Sequence, residues 1–444
     1  MFKKSIITGL AIFLVCSLNL QKASADLALT GGASERVRYE LWKNIFDMNS
    51  DILDNRSFFR FKTSLWGQAS FDKDFSVYAK LTDEFKSYTY YAPSASKTWG
   101  QTKKGYPFDI NEVIFDNLYV NANNLFKAPV NLRLGRQDLT DYGEGFLIAD
   151  GTPNDGSRSY YFNAAKANWQ VDAANSLDLI YIDDPRSDEW LPIINGEKIN
   201  TNLTTSQETA GVLYLKNKAI DHLALESYYI YKREGQDGVG YQSQKGTINT
   251  LGSYAKYDLS PFTLRGQLAY QFGTYGTNDR QGLGGYAFVD RDFKEFTWSP
   301  SATIGLVYLS GDDSSTNKNE SWDPLFSRYP WYSELYNLSY KSETGILAYW
   351  TNLQMLRSSI AVKPTEKSKV SLFYNYLRAN TEIPASTVFS GHGRDRGHLP
   401  QLRFDYVFNK NVTAYILGEY FVPGNMYLNR DEAIFVRCEM QVKF

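Results

Sequence analysis

The sequence predicts an all-β fold, a transmembrane antiparallel β-barrel of about 18 strands with short periplasmic turns and long extracellular loops. Three observations carry that expectation. Segments of roughly ten residues alternate apolar and polar side chains, which gives a sheet one greasy and one wet face. The links between those segments alternate long and short. The last and most regular segment closes the chain on an aromatic residue, Phe444.

Composition agrees with a strand-rich chain: 16% of the 444 residues are aromatic, with 33 tyrosines against 5 methionines. Beyond the N-terminus no apolar run approaches the roughly 18–20 residues that a spanning helix needs. Residues 1–25 have the layout of a secretory signal peptide. Lys3 and Lys4 start it, Ile6 to Leu20 are largely apolar, and Ala23-Ser24-Ala25 offers a cleavage site before Asp26. Residues 26–444 then form a single outer-membrane barrel domain. Loss of Lys3, Lys4 and Lys22 leaves 44 basic against 49 acidic residues, a net charge of −5 with no basic block, so nucleic acid is not an expected partner. Cys16 leaves with the signal, and Cys438 remains without a disulfide partner.

The first mature segment, Glu35–Trp42, sets Val37, Tyr39 and Leu41 on one face and Arg36, Arg38 and Glu40 on the other. A long link, 43–57, follows it, then the turn Phe71–Asp74 and the long link 85–111. Asn123–Ala128 is short, 138–159 long, Asp172–Asn175 short, 184–206 long and Asn217–Asp221 short. The long link 234–246 precedes Asp258–Pro261. Between them and the next long link, 274–284, Phe262, Leu264, Leu268, Tyr270 and Phe272 alternate with Thr263, Arg265, Gln267 and Gln271. Ser299–Pro300 is brief, 311–349 long, Lys363–Lys369 short, 380–397 long, Asn409–Asn411 short and 422–432 long. In the closing segment Ile434, Val436, Cys438, Met440, Val442 and Phe444 share a face opposite Arg437, Glu439, Gln441 and Lys443.

This series makes eighteen strands, nine long loops and eight short turns, with both termini on the short-turn side. Hydrocarbon offers no partner for backbone N–H and C=O groups, so a sheet that crosses it must close on itself. Phe58, Phe59, Trp169, Tyr229, Tyr231, Phe272 and Tyr420 fall at strand ends, where two interfacial girdles would meet outer-membrane lipid. Phe444 is the expected mark for the barrel-insertion machinery.

By parity the lumen receives Arg36, Arg38, Arg60, Lys62, Lys80, Arg133, Lys166, Lys232, Lys256, Arg265, Arg403, Arg437 and Lys443. The acids assigned there are Glu40, Glu84, Asp178, Glu226, Asp405, Glu419 and Glu439. Thirteen cations against seven anions make a conduit that concentrates anions, with the surplus acid placed in the loops. Arg136 falls on the lipid-facing parity, and a bulge near Gly135 is expected to turn it inward. Glu226 and Glu419 are expected to orient cationic side chains.

No catalytic signature is visible: GxSxG, CxxC, HExxH and Walker motifs are missing from the sequence, which has three histidines. His392 and His398, in the Gly391–His398 stretch, read as a glycine-bent outer loop rather than a metal site. Ser310-Gly311-Asp312-Asp313-Ser314 lacks the ligand spacing of a calcium loop. The expectation is a channel that is not an enzyme and needs no cofactor or metal; a barrel hydrolase using His392 or His398 is the less favoured alternative.

Four stretches, Leu132-Arg133-Leu134-Gly135-Arg136-Gln137-Asp138-Leu139, Leu309-Ser310-Gly311-Asp312-Asp313, Asp323-Pro324-Leu325-Phe326 and Phe421-Val422-Pro423-Gly424, taken in order, resemble the alginate export family of outer-membrane proteins. The resemblance spans nearly the whole mature chain. It implies a monomeric eighteen-stranded barrel with an arginine-rich conduit for a polyuronate, and Arg133 and Arg136 carry over as conduit residues. One departure is clear. The family's exporter carries a long periplasmic plug between its sixteenth and seventeenth strands, where this chain has Asn409-Lys410-Asn411. The 85–111 loop, with Lys97, Lys103 and Lys104, is the better lid.

The sequence therefore reads as a bacterial outer-membrane channel for passive passage of an anionic solute, an oligo- or polysaccharide such as alginate or a small anion. A general or sugar-uptake porin is the alternative. Deleting Phe444 is expected to lower the amount of heat-modifiable barrel assembled in cells while leaving refolding into detergent unchanged. Equal cellular yields would remove the assigned role of that residue.

Overall fold

The computed structural model describes residues 27–52, 54–91, 108–149, 159, 161–193, 203–238, 240–328 and 330–444. The proposed signal peptide and the core of the 85–111 lid lie outside them. Eighteen long strands form the wall: β1 Ala28–Lys43, β2 Arg56–Ser70, β3 Phe75–Tyr91, β4 Phe108–Ala122, β5 Val130–Asp138, β6 Tyr161–Gln170, β7 Asn175–Asp184, β8 Glu208–Ile220 and β9 Leu223–Glu234. They continue as β10 Gly246–Leu259, β11 Phe262–Tyr275, β12 Asn278–Asp292, β13 Ser301–Leu309, β14 Leu353–Thr365, β15 Ser368–Arg378, β16 Asp395–Asn409, β17 Val412–Pro423 and β18 Ala433–Lys443. Each strand pairs antiparallel with its sequence neighbour, and β1 closes on β18 from Ser34↔Lys443 to Lys43↔Ile434. Lys318–Asn319 adds a two-residue strand beside β12, and Glu334–Thr344 forms an α-helix, α1, within the link between β13 and β14.

The alternation has the expected consequence. Leu306 lies opposite Leu356, Leu372 opposite Ile360 and Leu402, and Phe404 opposite Ile416, all exposed on the outer face. Together they make a continuous apolar belt. β1 to β4 are 15–17 residues long, more than the roughly 9–11 that cross a bilayer, so their ends project beyond it.

The buried core lies on the other side of the wall. It joins inward strand residues such as Phe162, Ile182, Val212 and Ile230 to loop residues such as Tyr142, Phe146, Trp322, Leu325, Phe326, Leu335 and Trp350. Residues 139–149, 321–328 and 330–350 of the long links therefore dip into the barrel instead of standing clear of it.

Three expectations are corrected. The 274–284 link is a tight turn at Gly276-Thr277, with Tyr275 opposite Asn278. Its glycines read as loop, yet Gly284 sits in β12 because a Cβ there would come within 2.5 Å of the Trp322 ring packed against it. The brief Ser299–Pro300 turn is instead the whole stretch 293–300. Phe58 is 1% exposed and packs on Trp42 and Tyr88, so it belongs to no girdle. A register shift between Ser57 and Phe58 accounts for its inward turn.

Leu306 stands mid-strand in the outer belt and is 61% exposed. Leu306→Arg is expected to cost about 2–4 kcal/mol in reversible unfolding from lipid vesicles. An unchanged denaturation midpoint would contradict a hydrocarbon-facing position.

Candidate functional site in the barrel interior

Two inward segments divide the lumen. In the first, residues 139–149, Gly143, Glu144 and Gly145 all take positive φ, so the chain doubles back at its tip. The wall holds that tip by hydrogen bonds: the Tyr142 hydroxyl donates to Asp178 at 2.7 Å and the Gly143 N–H to Glu226 at 3.1 Å. Glu144 accepts from Tyr254 at 3.1 Å and Tyr286 at 3.2 Å, and it pairs with Arg265 at 2.5 Å. The segment thereby reaches β7, β9, β10, β11 and β12.

The second segment zips onto the first. Phe326 N–H donates to Leu147 C=O at 3.0 Å, forming a parallel bridge between Ile148 and Phe326. Phe146 packs between Trp322 and Trp331, each ring 5.1 Å away. Asp323 fastens this segment to the wall. Its carboxylate pairs with Arg280 at 2.7 Å and accepts from the Tyr349 hydroxyl at 2.7 Å. Burial alone would raise the Asp323 carboxyl, but Lys232 and Arg280 outweigh it and hold it below the usual carboxylate range. Beside it Lys232 is shared between Glu208 and Glu234, both at 2.9 Å, and Arg328 pairs with Glu208.

Helix α1 is fixed at both ends. Ser333 caps it by accepting from Tyr336 N–H at 2.8 Å, and Gly345, at φ 78°, terminates it. Glu419, on β17, accepts from Glu334 N–H at 2.9 Å and Leu335 N–H at 3.0 Å, so a wall carboxylate sits on the helix N-terminus. Farther along, Glu343 pairs with Arg396 at 2.8 Å, and the Ser339 and Ser342 hydroxyls donate to Ile45 and Phe46 carbonyls of the first long loop.

The inward cations are held by this framework in different ways. Register sets Arg38 opposite Arg60, Arg36 opposite Lys62 and Arg133 opposite Lys166. Carboxylates interleave the first two pairs: Glu84 lies 2.7 Å from Arg36 and 2.6 Å from Arg60, Glu40 lies 2.8 Å from Arg437, and Glu439 holds Arg38. Arg437 also meets Glu334 of α1. Arg265 is shared by Glu144 and Asp290, and Arg403 pairs with Asp405 at 2.7 Å.

Arg133 differs. It bonds Asn121 at 2.7 Å and stacks 4.3 Å from the Tyr119 ring, with no carboxylate at ion-pair distance among the described residues. Its facing Lys166 and nearby Lys216 flank the Tyr142 ring, 5.1 and 4.7 Å away, and Lys166 meets Asp178 at 3.4 Å.

Arg136 is placed otherwise than a conduit residue would be. Gly135 takes φ 120°, where an added Cβ would clash with Leu118 C=O, and Arg136 is 2% exposed. Its guanidinium pairs with Asp188 at 2.5 Å and lies 4.5 Å from the Tyr161 ring, buried away from the lumen. Glu226 and Glu419 meet no cation at ion-pair distance among the described residues; both carry inward segments instead. Sequence reasoning also missed Arg357. Its guanidinium sits between the Tyr332 and Phe373 rings, bonds Asn375 at 2.7 Å and, among the described residues, has no carboxylate partner. Its inward parity on β14 was readable. Arg280 was hidden because 274–284 reads as loop. His398 bonds the Tyr374 hydroxyl at 2.8 Å on the outer face, and no metal-holding group of acids, histidines and cysteine occurs among the described residues.

The family model described as alginate export matches residues 29–438. Among solved structures the chain is similar to OccAB4 of Acinetobacter baumannii, with a TM-score of 0.59, 10% identity and coverage of 95% of this chain and 100% of that one. It is likewise similar to OpdK of Pseudomonas aeruginosa, with TM-score 0.58, 8% identity and 94% and 98% coverage. OccK5 (OpdH) of the same organism gives 0.56, 11%, 94% and 98%. No curated protein matches the sequence.

Asp323 is fully buried, and its lowered pKa fixes the sign of its pH effect. Its stabilisation is complete above the unfolded value near 4 and is lost only as pH falls through the still lower folded value. The near-UV circular dichroism of the buried Trp322 is therefore expected to hold from neutral pH down to about 4, and tryptic cleavage at Lys341 to be slow at pH 7. Asp323→Asn should accelerate that cleavage, with about 3–5 kcal/mol lost from the latch. Equal cleavage of wild type and variant would show that the inward segment does not depend on this ion pair.

Proposed function

Because this chain belongs to the alginate export family, whose members are outer-membrane proteins, we propose that it is a passive outer-membrane channel for anionic solutes. The observation that carries the reading is the Arg133–Lys166 pair. Like charges directly opposite each other in a sheet are destabilising, and among the described residues Asp178 pairs with Lys166 while Arg133 and Lys216 meet no carboxylate at ion-pair distance. Arg357 adds, on the opposite wall, a guanidinium with no carboxylate partner among the described residues. A carboxylate entering the lumen meets these cations at separate positions, so it can be held at each and still leave. Guanidinium matches carboxylate geometry better than ammonium, which gives Arg133 and Arg357 the larger share of recognition. Arg36, Arg38, Arg60, Arg265, Arg403 and Arg437 contribute through clusters whose charge is partly cancelled. We assign the chain a monomeric state and delivery through residues 1–25.

A sugar-uptake porin is the second reading. The pairing of Arg265, Arg403 and Arg437 with carboxylates favours it, as does the half-buried Trp331 inside the barrel, because such surfaces suit hydroxyl-rich rings. Conductance across planar bilayers under a salt gradient separates the two. Anion selectivity is expected for the wild type, with reversal of sign in the Arg133→Glu, Lys166→Glu double variant. Cation selectivity of the wild type, with rapid swelling of liposomes in neutral sugars, would establish the second reading instead.

A further inference from the structure

Arg291 stands on the outward face of β12 at its periplasmic end. It faces Phe262 and Ala302 in register, on the same face as the exposed Leu283 and Val289. Its guanidinium lies 5.1 Å from the Phe262 ring and 4.5 Å from the Phe293 ring. Its Nε is buried without a hydrogen-bond partner, and no carboxylate pairs with it among the described residues. The 293–300 turn that follows displays Phe296 and Trp298, each more than half exposed. The rings against Arg291 are aromatic, and the neighbouring Asp292, Lys294 and Glu295 are exposed and make no ion pair with it among the described residues.

We propose that Arg291 is a binding site for the phosphate of an inner-leaflet phospholipid, with Phe262, Phe293, Phe296 and Trp298 seating the glycerol and upper acyl region. A cation beside hydrocarbon is costly unless it finds an anion or snorkels to one. Both rings lie against the guanidinium, and its Nη atoms carry no hydrogen bond or ion pair among the described residues, which leaves that edge open. At the depth of the short turns the bilayer presents phosphodiesters, whose paired oxygens fit that edge. Aromatic side chains favour the same layer. The site lies outside the lumen, so it is independent of the solute the channel carries.

The test is native mass spectrometry of the full folded chain in dodecyl maltoside, titrated with phosphatidylethanolamine, phosphatidylglycerol, a phosphate-free galactosyl diacylglycerol or inorganic phosphate. Both phospholipids should bind the wild type. Arg291→Gln should weaken them about tenfold and Arg291→Lys less, since a charge-assisted hydrogen bond is lost or reshaped. Galactolipid should bind poorly, and inorganic phosphate should not displace phospholipid. Unchanged phospholipid binding by Arg291→Gln, or equal binding of the galactolipid, overturns the proposal; displacement by inorganic phosphate shows a plain anion site and overturns the lipid assignment. Unchanged bilayer conductance reports that the variant is folded. Should Arg291→Gln not fold, Phe293→Leu, a change in the turn, is expected to weaken phospholipid about threefold, and unaltered affinity there overturns the proposal equally.

Discussion

Backbone N–H and C=O groups in hydrocarbon must bond to one another, and everything else in this molecule follows from meeting that requirement. The ten-residue seam between β1 and β18 meets it by removing both edges of the sheet at once. Closure forces one face of every strand outward into lipid and the other inward. The same alternation that hides the backbone thus creates an enclosed polar space.

Eighteen strands enclose more room than their own inward side chains fill, and the extracellular links supply the rest. The 139–149 and 311–352 segments bring their own small core of aromatic rings into the lumen, joined at Ile148 and Phe326. They also bring carboxylates. Asp323 and Glu343 reach Arg280 and Arg396, which pair with no strand acid among the described residues, while Glu144 and Glu334 add a second carboxylate to Arg265 and Arg437 beside Asp290 and Glu40. Among the described residues, Arg133 and Arg357 receive no carboxylate from either the strands or these loops; Arg357 meets the inward segment only through the ring and carbonyl of Tyr332.

The stretches that carry the family resemblance gain a physical meaning from this arrangement. Gly135 and Arg136 form the strained strand site locked to Asp188. Asp323 is the buried latch, Leu325 and Phe326 join the two inward segments, and Phe421 packs against Tyr336 of α1. Arg136 holds the 184–193 segment and the others position the inward segments, so the motif series, Arg133 apart, marks the machinery that shapes the lumen more than the groups that would meet a solute.

Strand number, the order of turns and loops except around 274–300, the outward belt and the inward side of Arg36, Arg38, Arg60, Arg133, Arg265, Arg403 and Arg437 were legible in the sequence, because a period of two and the punctuation of turn residues are local properties of the chain. The destination of the long links was not. Whether 311–349 stands in water or folds into the barrel depends on Asp323 finding Arg280, and on α1 presenting its N-terminus to Glu419, partners 43 and 84–85 residues away. The same distance hid the fate of individual charges: a parity count gives a residue its face, but only the closed tertiary structure decides which opposite charge arrives beside it.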